Sequence, residues 1–120
     1  MAPPRLLLVE DEFLIRLSLS EVLSDDGFEV VEAEDGDTAL ALLDAQEAFA
    51  IMLTDIQLPG SLDGRALAER ARTTRPALPV IFMSGRPQSV ASANPLDTYV
   101  NKPYLPSVLS ATVRRILDGG

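Results

Sequence analysis

Three runs of four apolar residues punctuate the chain: Leu6-Leu7-Leu8-Val9, Ala50-Ile51-Met52-Leu53 and Val80-Ile81-Phe82-Met83. Each is bounded by polar or turn residues. Unbroken apolarity over so short a run predicts strands covered on both faces, as in a parallel sheet. Phe28-Glu29-Val30-Val31-Glu32-Ala33 is half alternating, which suits a strand nearer the sheet edge. Thr98-Tyr99-Val100 makes a short, weak fifth candidate. Between these runs the apolar period lengthens to three and four. Leu14, Ile15, Leu19, Val22 and Leu23 predict a helix that stops at Gly27. Ala39, Leu40 and Leu43 predict a second, entered through Asp35-Gly36-Asp37-Thr38. Leu67, Ala68 and Ala71 predict a third, entered through Asp63-Gly64 and closed by Arg75-Pro76. Leu109, Val113, Ile116 and Leu117 predict the last, with Pro106 tolerated in its first turn. The stretch from Gly85 to Pro95 is the poorest in pattern; a helix there would be short, over 88–93, or absent. Strand and helix alternate with short connections and no internal repeat, linker or low-complexity segment. The expected fold is a three-layer α/β sandwich of βαβ units with right-handed crossovers.

Composition narrows what such a fold can do. At 120 residues the chain is expected to form one domain, 1–120, large enough to fold without staples. There is no cysteine, hence no disulfide, thiol nucleophile or thiolate-bound zinc. There is no histidine, hence no Ser-His triad and no imidazole ligand. Any metal must be held by oxygen, which favours a hard ion such as Mg²⁺. A net charge of -8 argues against direct nucleic-acid binding and against a polybasic membrane anchor. No run is long enough to span a membrane, and the start does not read as a signal peptide. A cytoplasmic location is expected. Met1 suggests a natural beginning, while the end after Gly119-Gly120 fits either a stand-alone protein or a domain cut from a longer one.

In an open α/β sheet ligands bind beyond the carboxyl ends of the strands. Glu10-Asp11-Glu12 follow the first strand, Asp55 the third, Ser84-Gly85 the fourth and Asn101-Lys102-Pro103 the fifth. If the three apolar runs are adjacent parallel strands, Glu10, Asp11 and Asp55 converge. Two unit charges 4 Å apart repel by roughly 4 kcal/mol at an effective dielectric near 20. A divalent cation would relieve that repulsion. Lys102, the single lysine beside nine arginines, adds a compact cation, and Ser84 adds a hydroxyl. A nucleophilic carboxylate, a metal, a cation and a hydroxyl are the parts phosphoryl transfer needs. Each part also has a plainer reading. The acidic triplet could cap the first helix, Asp55 could open the turn before Pro59-Gly60, Ser84-Gly85 could be a turn, and Lys102 a solvated surface residue. Their joint placement after four strands favours the site.

These motifs resemble the receiver domain of two-component response regulators. The resemblance runs from Leu6 to Leu117 and rests on Leu-Leu-Val-Glu-Asp-Glu at 7–12, Thr-Asp-Ile-Gln-Leu-Pro-Gly at 54–60, Leu-Asp-Gly at 62–64, Met-Ser-Gly at 83–85 and Tyr-Val-Asn-Lys-Pro-Tyr at 99–104. It implies a doubly wound (βα)5 sandwich with a five-stranded parallel sheet in order 2-1-3-4-5 and, in this chain, a short or irregular fourth helix. It implies Asp55 as phosphoacceptor, supplied by a sensor histidine kinase or histidine phosphotransfer protein. Mg²⁺ would be held by Asp11, Asp55 and the Gln57 backbone carbonyl, with Glu10 acting directly or through water. Lys102 would pair with the phosphoryl group; Ser84 and Tyr99 would be the switch residues. Gln57 and Arg86 would flank the phosphoryl group and tune its hydrolysis. Output would be protein contact with a downstream target, with a homodimer left open, and the module is not a conventional enzyme. Two departures stand out: one extra residue between Pro59 and Asp63-Gly64, which should make that loop bulge, and a shortened Ser84-to-Lys102 stretch. The shortened stretch leaves a pseudo-receiver, a binding module that does not switch by phosphorylation, as an alternative. A flavodoxin-like flavoprotein or a metal-dependent phosphatase is disfavoured. A flavin site would need a Ser/Thr/Gly-rich phosphate loop where this chain has Glu10-Asp11-Glu12, and no Walker-type Gly-rich loop is present.

Overall fold

A computed structural model describes residues 3–45, 48–85 and 94–119. The strands are β1 (Arg5–Val9), β2 (Glu29–Ala33), β3 (Ile51–Asp55), β4 (Val80–Ser84) and β5 (Asp97–Asn101). The helices are α1 (Phe13–Asp25), α2 (Gly36–Asp44), α3 (Gly64–Arg72) and α4 (Pro106–Leu117). All four strand pairings are parallel, in the order β2-β1-β3-β4-β5.

The sheet explains the apolar runs. Along β1 the side chains alternate between two cores. Leu7 and Val9 join Met52, Phe82, Ala39, Leu43, Leu67 and Ala68 under α2 and α3. Leu6 and Leu8 join Ile51, Leu53, Ile81, Met83, Leu19, Leu23, Leu109 and Val113 under α1 and α4. A strand sandwiched this way has no face to give to water, so every residue of β3 and β4 is buried. The edge strands β2 and β5 are only partly buried, as the mixed pattern of the first and the weakness of the second imply.

Local chemistry sets the helix starts. Asp35 accepts from the Thr38 N–H at 2.7 Å and Asp63 from the Ala66 N–H at 2.8 Å, each an N-cap. Pro106 sits in the first turn of α4. The Asp26 backbone carbonyl accepts from Arg114 at 2.6 Å, and its carboxylate accepts from Ser110, which ties the end of α1 to α4. One position departs from the periodicity. Leu14 belongs to the apolar repeat of α1, yet its side chain is 75 % exposed. The first turn of α1 lies at the carboxyl rim of the sheet, beyond the layer that buries Leu19 and Leu23.

The short or irregular fourth helix expected over 88–93, and Arg86, lie outside the described residues. No helix among the described residues is long and apolar enough to cross a membrane.

Candidate functional site

The central strands end at one rim, and the residues that follow them meet there. Glu10 leaves β1 with its N–H donated to the Ala33 carbonyl at 3.1 Å, so it stays within the sheet. Asp55 is the last residue of β3, and the next N–H, of Ile56, bonds the Met83 carbonyl at 3.1 Å. The Lys102 N–H donates to the Ser84 carbonyl at 2.7 Å, which joins the ends of β4 and β5. Carboxylate oxygens of Glu10, Asp11 and Asp55 lie within 4.8 Å of one another. Lys102 Nζ is 2.7 Å from Asp55 Oδ1 and 3.6 Å from Glu10 Oε1. An open cleft of about 560 Å³ runs over them, lined by Asp11, Asp55, Gln57, Ser84 and Lys102. The sequence-derived site residues that are described are therefore gathered in one place, with Tyr99 two residues short of the rim on β5.

Burial makes the charges interact strongly. Glu10 is fully buried and Asp55 nearly so, whereas Asp11 is exposed. Burial, then the Asp55 carboxyl beside it, raises the Glu10 carboxyl above the usual carboxylate range. Burial alone would lower the Lys102 ammonium, but the hydrogen bond to Asp55 and the two carboxylates outweigh it and hold it above its ordinary value. Glu10 Oε2 accepts the Glu12 N–H at 3.1 Å, while Oε1 is buried without a hydrogen bond. Glu10 thus satisfies one amide ahead of α1 and belongs to the cluster, but the triplet does not cap the helix. Glu12, the N-cap residue itself, makes no side-chain cap.

An oxygen-only set of two buried carboxylates and one exposed one, with an orphaned buried oxygen, fits a hard divalent cation. Glu10, Asp11 and Asp55 could hold it. A buried carboxylate beside a cation, open to solvent on one side, can act as a nucleophile or as a metal ligand.

The family model of the response regulator receiver domain matches residues 6–114. The chain belongs to the response regulator receiver family. Receiver domains are signalling modules of two-component systems rather than conventional enzymes. The domain is 37 % identical over 121 residues to the transcriptional regulatory protein AfsQ1 of Streptomyces coelicolor, covering 98 % of this chain and 52 % of the relative. It is 31 % identical to the aerobic respiration control protein ArcA of Escherichia coli, covering 98 % and 50 %. The chain thus spans about half the length of these relatives. A CheY-like receiver domain protein of Methanospirillum hungatei superposes with a TM-score of 0.88 at 32 % identity, covering 98 % of this chain and 95 % of that one. A receiver protein of Sinorhizobium medicae superposes at 0.89 with 27 % identity, covering 97 % and 95 %.

The receiver site also holds residues that sequence reading did not single out. Arg16 donates to the Glu10 carbonyl at 2.8 Å and to Glu32 Oε1 at 3.0 Å, which braces the start of the acidic triplet. Tyr104 has a buried hydroxyl without a hydrogen-bond partner, and burial, then Glu10 and Asp55, raises its pKa. Gly64 lies against the backbone of Asp55. Gly64 and Tyr104 left a trace in the sequence, as the last residues of Leu-Asp-Gly and Tyr-Val-Asn-Lys-Pro-Tyr. Arg16 reaches Glu32 sixteen residues away, a separation no local pattern marks. The long loop between Pro59 and Gly64 turns through Gly60, at φ +88°, and lays Leu62 over Gly36 at the start of α2.

Proposed function

We propose that this receiver domain accepts a phosphoryl group on Asp55 from a phosphohistidine on a partner protein, a sensor histidine kinase or a histidine phosphotransfer protein. The observation that supports it most is the buried Asp55 carboxylate, with Lys102 at 2.7 Å, opening onto the cleft beside Asp11. A P–O bond forms to Asp55 as the P–N bond to the donor imidazole breaks. The leaving nitrogen keeps the electron pair and takes up a proton from solvent. Asp11, Asp55 and the Gln57 backbone carbonyl would hold Mg²⁺, with Glu10 behind them. Bound there, Mg²⁺ would supply charge stabilisation to the phosphoryl oxygens. Lys102 neutralises a further oxygen. Ser84 bonds the phosphoryl group once it is attached, and Tyr99 then moves toward the space beside Ser84. The surface around β5 changes, and a downstream protein reads it; this is a population shift between two packings. Gln57, on the cleft wall, tunes hydrolysis of the phosphoryl group, with Arg86 as its counterpart.

The direct test is intact mass after incubation with Mg²⁺ and acetyl phosphate. The wild type should gain the mass of one phosphoryl group and Asp55→Asn should gain none. A gain that survives in Asp55→Asn would remove the site assignment. No gain in the wild type, where a known receiver reacts, would leave a pseudo-receiver.

The donor's place is suggested by an apolar face beside the same rim. Among the described residues the exposed large hydrophobic side chains are Phe13, Leu14, Leu17, Leu105 and Val108, all on the first turns of α1 and the start of α4. Of these, Leu14 lines a groove with Ile15, Leu19, Tyr104 and Pro106 that reaches Lys102. An apolar groove with an exposed leucine on its wall marks an interaction surface. A partner helix seated there would bring its phosphohistidine to Asp55. Leu14→Arg is expected to slow transfer from a phosphohistidine protein by about tenfold or more, the effect of losing one central apolar contact. Phosphorylation by acetyl phosphate should be unchanged. Equal losses with both donors would argue against docking at this face.

A further inference from the structure

Arg65 is the second residue of α3, and its exposed side chain reaches across to β5. Its Nη1 donates to the Tyr99 hydroxyl at 3.0 Å. Its guanidinium carbon lies 5.4 Å from the centre of the Tyr99 ring and 5.9 Å from that of Phe82. The two rings stack on each other with centres 5.2 Å apart and planes 26° apart. A guanidinium over an aromatic face is attracted by the ring's negative charge density, and a hydroxyl bond fixes the ring's rotation as well. Tyr99 therefore has two holding contacts, the Phe82 ring stacked on it and Arg65 bridging the two rings and bonding its hydroxyl.

The register shows what this holds it away from. Phe82 stands opposite Tyr99, whereas Ser84 stands opposite Asn101. Ser84 is thus about 7 Å farther along the sheet, two strand residues on. For the Tyr99 ring to approach Ser84 it must leave the Arg65 hydrogen bond and slide off Phe82. Arg65 itself is firmly based. The preceding residue, Gly64, donates to the Ile56 carbonyl at 2.7 Å and packs on the Asp55 backbone, so α3 starts from the phosphoacceptor loop.

The geometry points to Arg65 as a positioning residue that latches Tyr99 in its resting place and so sets how readily the domain enters the phosphorylated packing. This rests on the reading of Tyr99 as the switch aromatic. The latch stabilises only the resting packing, so its loss shifts the equilibrium toward the other one. A phosphoryl mimic that selects that packing must then bind more tightly, by linkage.

The experiment uses the full chain carrying 3-fluorotyrosine, with the two tyrosine signals assigned through Tyr99→Phe. Beryllofluoride is titrated in the presence of Mg²⁺ and followed by fluorine NMR. In Arg65→Ala the Tyr99 signal should lie part-way toward its mimic-bound position before any mimic is added. The mimic should bind about three- to tenfold more tightly, the scale of one exposed hydrogen bond and one exposed cation–π contact. Arg65→Lys keeps the charge and loses the planar fork, and it should fall between. If the wild-type signal responds to the mimic while Arg65→Ala matches the wild type in position and affinity, the latch is overturned and the switch reading stands. If the mimic binds but the wild-type Tyr99 signal does not move, the switch reading fails and the latch falls with it.

Discussion

Gly64→Ala is expected to lower the thermal midpoint by roughly 10 °C and to slow phosphorylation of Asp55 in the same protein. A Cβ at this position would sit 2.1 Å from the Asp55 carbonyl oxygen, 2.9 Å from its carbon and 3.0 Å from the Ile56 Cα. All three are backbone atoms, so no side chain can swing aside. Either α3 or the end of β3 must shift. Overpacking of a tight interior costs about 1–3 kcal/mol, and a contact this short belongs at the top of that range. The better helix propensity of alanine returns at most about 1 kcal/mol. Because the clash is with Asp55 itself, the strain falls on the residue whose carboxylate must face the cleft. Gly60→Ala is the natural contrast. Its φ of +88° makes a side chain unfavourable, but its nearest neighbour would be Asp37 Oδ2 at 3.8 Å. It should cost about 1 kcal/mol and leave the chemistry nearly intact. Thermal unfolding by circular dichroism with parallel acetyl-phosphate labelling checks both. A Gly64→Ala protein that melts and labels like the wild type would show that α3 is free to move off the Asp55 backbone.

Lys102→Ala is expected to slow acetyl-phosphate labelling of Asp55 by about a hundredfold, the usual effect of removing one fixed charge donor from a reacting oxygen. It should also destabilise the metal-free protein by about 2 kcal/mol at neutral pH. Stripping one partner from a sealed ion pair costs more, about 3–5 kcal/mol. Here the ammonium keeps 30 % exposure, so water screens part of it, whereas Glu10 is completely buried. The pH dependence has a definite sign. The Glu10 carboxyl is held above its ordinary 4.5 when folded, so its contribution is full below that value and lost as pH rises through the folded one. Lys102 offsets that loss. The gap between wild type and Lys102→Ala should therefore be widest near neutral pH and close toward pH 4.5. Denaturant unfolding across that range measures it. A gap that is flat with pH would mean that Lys102 does not act on the buried carboxylates.

Much of the site was legible because its residues follow strands. Three apolar runs and one weak strand end in Glu10-Asp11, Asp55, Ser84 and Lys102, and a parallel sheet brings such ends to one edge. The caps at Asp35 and Asp63 were legible for a similar reason, since each contact spans three residues. Leu14 was not legible in the same way. Helical period shows that it belongs to an apolar stripe, but not that the stripe runs past the sheet. Arg65 was silent in sequence: it meets Tyr99 34 residues away, across an α3–β5 contact that no periodicity encodes.

What the sequence determined alone was the layered α/β architecture, the exclusion of thiol and imidazole chemistry, and the set of acidic and cationic residues at strand ends. Those follow from burial period and residue type, which are properties of short segments. Only the tertiary structure decided which charges share a cation, that Glu10 is sealed while Asp11 faces water, that Gly64 must lack a side chain, and that Tyr99 is held under Arg65. Each of these depends on a distance between segments far apart in the chain. Interaction energy between charges and between packed atoms varies over ångströms, and register and packing set those ångströms.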